Sequence, residues 1–329
     1  MEKEIRFGIL GLGRIAKKFA EALEKANGAR LAGVGSRSLD KAKAFAEGFP
    51  SEHVFGSYQE LIQSPDIDAI YIATPHTSHC ENTIQCLENK KAVLCEKPFA
   101  MNAKEVQKMI SSSKKHKTFL MEAFWTRFIP SFLKAKELVT NGEIGEIISI
   151  QADFGFRANF NPEHRLFNKS LGGGSLLDVG IYPVFFATHF LGEPKKIIAS
   201  AKIGDTGVDE QLSVLLEYSS GKRATLTSSI VSNNSVEANI FGSKKRIRLN
   251  GEWHCPTNIS LFADRTNFEN IDFDYNGRNG YEYEIEEVVK CLREGKTESD
   301  LLTHSDSQKL IRVLDNIRKE INLVYPDHD

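Results

Sequence analysis

Short apolar runs alternate with amphipathic stretches over the first ~120 residues of the chain. Apolar runs at 5–10, 31–35, 68–73 and 91–95 predict strands. The stretches 15–26, 40–47, 78–88 and 103–115 predict helices, and in the first of them Ile15, Phe19 and Leu23 stack on one face at a spacing of four. Ser78-His79-Cys80-Glu81 has the form of a capping box at a helix start. Strand–helix alternation of this kind implies a doubly wound parallel sheet covered on both faces, an α/β arrangement. Beyond Phe119 the pattern changes. A helix at 131–140 is followed by strand candidates at 147–154, 196–202, 211–218, 223–229, 236–241 and 245–249, with tight-turn segments at 219–222 and 242–244. That spacing predicts a large, mostly antiparallel sheet, and two terminal helices follow at 281–294 and 305–322. The expected division is an α/β domain over 1–121 and an α+β domain over 122–329.

Composition adds exclusions. The 329 residues are 41% hydrophobic and 26% charged, enough apolar material for two packed cores. A formal net charge of -2 gives little phosphate counterion release, so nucleic acid is not expected as a partner. No run approaches the roughly 20 consecutive apolar residues of a membrane span, and no secretory leader is recognisable ahead of the first strand. Cys80, Cys86, Cys95, Cys255 and Cys291 are odd in number and never spaced CxxC. A reducing, cytoplasmic compartment is the expectation, with no disulfide framework and no metal site.

Gly11-Leu12-Gly13-Arg14-Ile15-Ala16 is a GxGxxA turn placed between a predicted strand and a predicted helix. In that context it reads as the dinucleotide-binding turn of a Rossmann domain. Gly11 allows the tight turn, Gly13 lets backbone approach a pyrophosphate, and Ala16 permits close helix packing. The helix N-terminus, opened by Arg14 and Ile15, offers free N–H groups to the anion. The second strand then ends in Gly35-Ser36-Arg37-Ser38, where an NAD site carries an acid for the ribose 2′-hydroxyl. Ser36, Arg37 and Ser38 suit a 2′-phosphate instead, so the expected cofactor is NADP, with NAD still possible. Thr74, Pro75 and His76 close the next strand at the carboxyl edge of the sheet, and His76 and His79 are candidates to line the cofactor channel.

Cys95-Glu96-Lys97-Pro98 closes another strand, and Gly172-Gly173-Gly174-Ser175-Leu176-Leu177-Asp178-Val179-Gly180-Ile181-Tyr182-Pro183 follows much later. A strand ending in EKP followed by GG-x-L-x-D-x-G-x-Y resembles the glucose–fructose oxidoreductase and myo-inositol dehydrogenase family. The resemblance runs over nearly the whole chain, from Gly8 to Tyr325-Pro326. Met121-Glu122-Ala123-Phe124-Trp125-Thr126-Arg127-Phe128 is similar to the branch holding dimeric dihydrodiol dehydrogenases and NADP-linked sugar dehydrogenases. The resemblance implies that Lys97 and Tyr182 are the catalytic pair, with Glu96 and Lys97 beside the cofactor. Inositol dehydrogenases have His at the second position, so the Tyr here points away from them.

The residue types suit the chemistry. Oxidising an alcohol sends a hydride to nicotinamide and a proton to a base. A phenol with a pKa of ~10 is a poor base at neutral pH unless a nearby ammonium favours the phenolate. Asp178 lies four residues before Tyr182, which one helical turn places on the same face, and it can bind a substrate hydroxyl or orient Lys97. Pro183 removes an N–H and should disturb this helix near Val179. Trp125, Phe154 and Trp253 are candidates for an aromatic substrate wall, and Arg127, Arg157 and His164 for polar contacts. The expected function is hydride transfer between NADP(H) and a sugar, polyol or cyclic trans-diol, in either direction. The alternative is a non-catalytic NADP-binding regulator or sensor on the same fold. An exposed apolar face of the antiparallel sheet is expected to form a homodimer interface, as the resemblance also implies.

Overall fold

The computed structural model describes residues 3–329. It divides into two compact units. One holds the described residues up to Phe128 together with Asn276–Ser307, and the other holds Ile129–Tyr275 and Gln308–Asp329. This corrects the expected boundary, because a late segment returns to the first unit.

The first unit runs β1 (Ile5–Leu10), α1 (Arg14–Leu23), β2 (Ala29–Gly35), α2 (Leu39–Gly48), β3 (His53–Phe55), α3 (Tyr58–Gln63), β4 (Ala69–Ile72), α4 (His79–Glu88), β5 (Ala92–Glu96), α5 (Ala103–His116) and β6 (Leu120–Ala123). Its six-stranded sheet has the order β3-β2-β1-β4-β5-β6 and every pairing is parallel. β4 and β5 are buried along their whole length, as a sheet covered on both faces requires. Three elements escaped the pattern analysis: β3 and β6, at three and four residues, and α3, whose start is capped by the Ser57 hydroxyl accepting from Glu60 N–H. The capping box at Ser78 does not form. His76–Ser78 is a 3₁₀ turn, and the Ser78 side chain makes no cap hydrogen bond.

The second unit contains α6 (Pro130–Thr140), β7 (Ile147–Gly155), α7 (Ile181–Leu191), β8 (Lys196–Ile203), β9 (Asp209–Glu217), β10 (Arg223–Ser229), β11 (Ala238–Gly242), β12 (Arg246–Leu249), β13 (Ile259–Phe262) and β14 (Phe268–Ile271). Its eight strands are ordered β14-β13-β12-β11-β7-β10-β9-β8, and only β7–β10 is parallel. Register explains its two faces. One row of partners crosses all eight strands as Ile197, Leu216, Ala224, Ile150, Ile240, Ile247, Leu261 and Glu269, apolar until the edge. The next row is Ile198, Leu215, Thr225, Gln151, Asn239, Arg248, Ser260 and Asn270. Side chains alternate between faces, so the first row meets the helical layer and the second forms the outer face. The outer face is therefore mainly polar, not the exposed apolar face expected; Ile198, Ile148 and, at the edge, Phe268 are its exposed apolar side chains.

α8 (Tyr281–Arg293) belongs to the first unit, where Asn27 N–H and Nδ2 donate to Glu286 Oε1 and Lys25 donates to the Gly277 carbonyl. The break between units falls inside α9 (His304–Glu320). By length and composition Lys169–Leu191 could cross a membrane, but 78% of its most apolar window is buried inside the protein, the condition of a core helix.

Candidate active site

Sheet order brings the predicted cofactor residues to one edge. Gly11 follows β1, Ser36 follows β2, Thr74 lies just past β4 and Lys97 just past β5, and these four strands are neighbours in the order β2-β1-β4-β5. β1 is where the strand order reverses, so the edge is a switch point of the kind that holds ligands in open α/β sheets. Gly11 N–H donates to Gly35 O at 3.1 Å, and Ala73 N–H donates to Leu10 O at 2.8 Å, which locks the three strand ends together. Gly11 sits at φ +92°, and a Cβ there would lie 3.0 Å from the Ala73 carbonyl and the Thr74 methyl. Only glycine fits that turn. Gly13, by contrast, faces open space: a Cβ would meet nothing within 4 Å.

Gly13 is the N-cap of α1, with no side-chain cap and no acid in the first turn. Free N–H groups, an open approach and no competing carboxylate fit a pyrophosphate. Arg14 is exposed, Ile15 half-buried, and Ala16 fully buried against the sheet. Arg37 is exposed. The Ser36 hydroxyl accepts from Ser38 N–H, and the Ser38 hydroxyl accepts from Lys41 N–H as the cap of α2. Both hydroxyls keep their own proton to donate, and no acid follows before Asp40. These residues fit NADP, whose 2′-phosphate takes such donors.

Thr74 is buried and its hydroxyl accepts from Asn82 Nδ2; Pro75 is exposed, and His76 is buried at the start of the 3₁₀ turn. His79 is fully buried. Its ring nitrogens lie 2.8 Å from Pro98 O and 2.9 Å from Thr74 O, so it ties the end of β4 to the Lys97–Pro98 turn instead of opening into a channel. Burial pulls the His79 pKa down, against the pull of those two carbonyls. Glu96 is buried too. One oxygen accepts from the Tyr71 hydroxyl and the other from Lys97 N–H at 3.1 Å. Lys97 is half-buried and precedes a cis proline.

In the second unit, Gly173 and Gly174 are explained by packing. A Cβ on Gly173 would meet three carbonyl oxygens at 2.6–2.8 Å, and one on Gly174 would lie 2.2 Å from Asp209 Oδ1. Asp209 Oδ2 accepts from Ser175 Oγ at 2.8 Å and Leu176 N–H at 2.7 Å, fixing the start of the segment that carries Asp178 and Tyr182. Burial raises the Asp209 carboxyl to about 7 against those hydrogen bonds. Leu176–Gly180 forms one π turn before α7. The disturbance expected near Val179 takes this form, because Pro183 has no N–H to continue the ordinary ladder. Asp178 is buried and ion-paired to Arg165 at 2.8 Å, a partner missing from the sequence reading because it lies in an irregular loop.

Tyr182 is 5% exposed and sits among aromatic rings: Phe154 at 5.4 Å, His254 at 5.2 Å and Trp253 at 6.5 Å between centroids. Trp253 is fully buried and donates to Asp153 O. His254 stacks on Phe154 at 4.0 Å; nothing in the sequence pattern marks it. Glu252, His254 and Cys255 bring ligand-type atoms within 4.8 Å of one another. Arg157 and His164 are exposed in loop segments. In the first unit Trp125 stacks on Tyr281 at 4.4 Å. Arg127 is 1% exposed, with Asp306 and Glu287 as charged neighbours, an interior position that does not suit a substrate contact.

Known proteins match over nearly the whole length. The oxidoreductase family with an NAD-binding Rossmann fold matches residues 5–124, and the GFO/IDH/MocA C-terminal domain matches residues 132–248. The chain is similar to trans-1,2-dihydrobenzene-1,2-diol dehydrogenase of Xenopus tropicalis, at 36% identity over 98% of this chain and 99% of that one. The mouse enzyme of the same name, from Mus musculus, is 37% identical over 98% of each chain. Among solved structures, a 3-ketoreductase from Actinomadura kijaniata in complex with NADP and TDP-benzene superposes with a TM-score of 0.87 at 26% identity, covering 97% of this chain and 98% of that one. With the glycine turn, the EKP strand end and the Asp178–Tyr182 segment placed as described, the chain belongs to the GFO/IDH/MocA family of oxidoreductases.

Proposed function

We propose that this protein is an NADP(H)-dependent oxidoreductase that moves a hydride between nicotinamide and a hydroxyl-bearing carbon of a cyclic trans-diol, sugar or polyol. The setting of Tyr182 carries the reading: a buried phenol ringed by Phe154, Trp253 and His254, four residues after an Asp178 held by Arg165. Such a wall suits the apolar face of a small ring, and the carboxylate suits its hydroxyl groups. The names of the two relatives described above, which are dihydrodiol dehydrogenases, support the same substrate class.

The roles follow from the residue chemistry. The N-terminus of α1 takes the pyrophosphate, and Ser36, Arg37 and Ser38 take the 2′-phosphate. When bound, the nicotinamide supplies the hydride acceptor or donor. As its phenolate, Tyr182 receives the hydroxyl proton during oxidation, and as the phenol it gives that proton back during reduction. Lys97 stabilises negative charge developing on the reacting oxygen, and Asp178 holds a neighbouring hydroxyl. The test is a panel of trans-dihydrodiols, aldoses, inositols and anhydro-sugars with NADP or NAD, and the corresponding carbonyls with NADPH or NADH, followed by nicotinamide absorbance. Turnover of a ring diol or sugar, faster with NADP(H), is expected; cofactor binding with no turnover anywhere in the panel would favour a sensor.

We also propose a homodimer through the outer face of the eight-stranded sheet. Arg246 lies 3.8 Å over the Phe262 ring, and a polar hollow of about 320 Å³ is lined by residues including Gln151, Asp153, Thr225 and Thr227. A polar, arginine-bearing face suits a wet, self-complementary contact. Sedimentation at micromolar concentration should give twice the chain mass, and a monomer would refute the assignment. Five cysteines without disulfides support a reducing, cytoplasmic compartment.

A further inference from the structure

Glu284 lies in the first turn of α8 with no exposed surface, and no donor among the described residues reaches either carboxylate oxygen. The groups around it are acidic or phenolic: Tyr71 from β4, Glu96 from β5 and Tyr281 from α8 itself, with Glu122 of β6 acting on Glu96. Glu282, next but one, already spends its oxygens on Asn279 and Gly280 N–H. Among the described residues the Lys97 ammonium acts on Glu122, and the effect that favours an ionised Glu284 directly is the positive end of the helix dipole. That effect fades within a turn and is weaker than the cost of burying an unpaired carboxylate beside another.

We propose that Glu284 is a positioning residue held as a neutral acid behind the Lys97 turn, so that Glu96 and Glu284 share one negative charge between them. This rests on the reading of Lys97 as catalytic. The negative Glu96 accepts Lys97 N–H and the Tyr71 hydroxyl, and those two bonds set the direction in which Lys97 leaves β5. A second charge at Glu284 would repel Glu96 from both donors. Desolvation, reinforced by Glu96, raises the Glu284 pKa well above the carboxylate range. The folded protein then binds a proton at neutral pH that the unfolded chain does not. Its contribution to stability is complete in acid and is lost as pH rises through the raised value.

Wild type, Glu284→Gln and Glu284→Met should be unfolded calorimetrically at pH 7 in buffers of different ionisation enthalpy. Wild type should release about one proton more than either variant. Infrared spectra of folded wild type labelled with ¹³C-glutamate need no variant. At about pH 8.5, above the value of about 7 for Glu122, a protonated glutamic acid band should persist. Equal proton release, or no such band, would show an ionised Glu284 and overturn the proposal. In kinetics, kcat should fall about tenfold per pH unit on the alkaline side in wild type, and that limb should be displaced in Glu284→Gln with cofactor affinity unchanged. Identical pH profiles would remove the positioning role. The proton count and the infrared band read Glu284 whether or not the protein turns anything over, so a failure of the enzyme reading is seen separately.

Discussion

Asp209 shows how one residue can organise a motif it does not belong to. Its Oδ2 holds Ser175 and Leu176, and its Oδ1 leaves room only for a glycine at 174. With the carboxyl raised to about 7 from an ordinary value of 3.8, the folded state binds the extra proton. Stability from this group is full in acid and declines as pH rises from about 4 through 7, on the order of 4 kcal/mol in total. Asp209→Asn should be the less stable protein at pH 5, and its deficit should shrink by pH 8, as denaturant titration would show. Parallel pH dependences in the two proteins would contradict this account. None of it was legible in the sequence, where Asp209 is one acid among many and its partner segment lies more than thirty residues away. Lys97, Tyr182 and the glycines were legible because short motifs carry them. Arg165, His254 and Glu284 were not, because each acquires its place only through long-range packing.

Among elements, the central strands β1, β2, β4 and β5 of the parallel sheet and the long amphipathic helices could be read directly, since burial on two faces writes an unbroken apolar run and burial on one face a period of 3.6. β13 and β14 could not. Phe268, Glu269 and Asn270 are exposed at the sheet edge and show no alternation to detect. The expected cap at Ser78 gave way to a 3₁₀ turn over His76–Ser78, and α4 starts at His79, whose ring nitrogens lie against two carbonyls. The π turn at Leu176–Gly180 was foreseeable as a disturbance from Pro183, but its form was not.

At the scale of the molecule, chain order misleads. Asn276–Ser307 belongs to the unit built by the described residues up to Phe128, because α8 packs beside α1 and the 125–128 turn, with Glu286 on Asn27 and Tyr281 on Trp125. Each unit presents its own part of the proposed machinery: a pyrophosphate-ready helix start with Lys97 in one, and a phenol in an aromatic wall in the other. The central claim is that Tyr182 transfers the proton. It is tested most directly by steady-state kinetics of Tyr182→Phe on an active substrate, beside a fluorescence titration with NADPH. The account predicts a fall in kcat of about 100-fold or more with NADPH affinity unchanged. Normal turnover by the phenylalanine variant would contradict it.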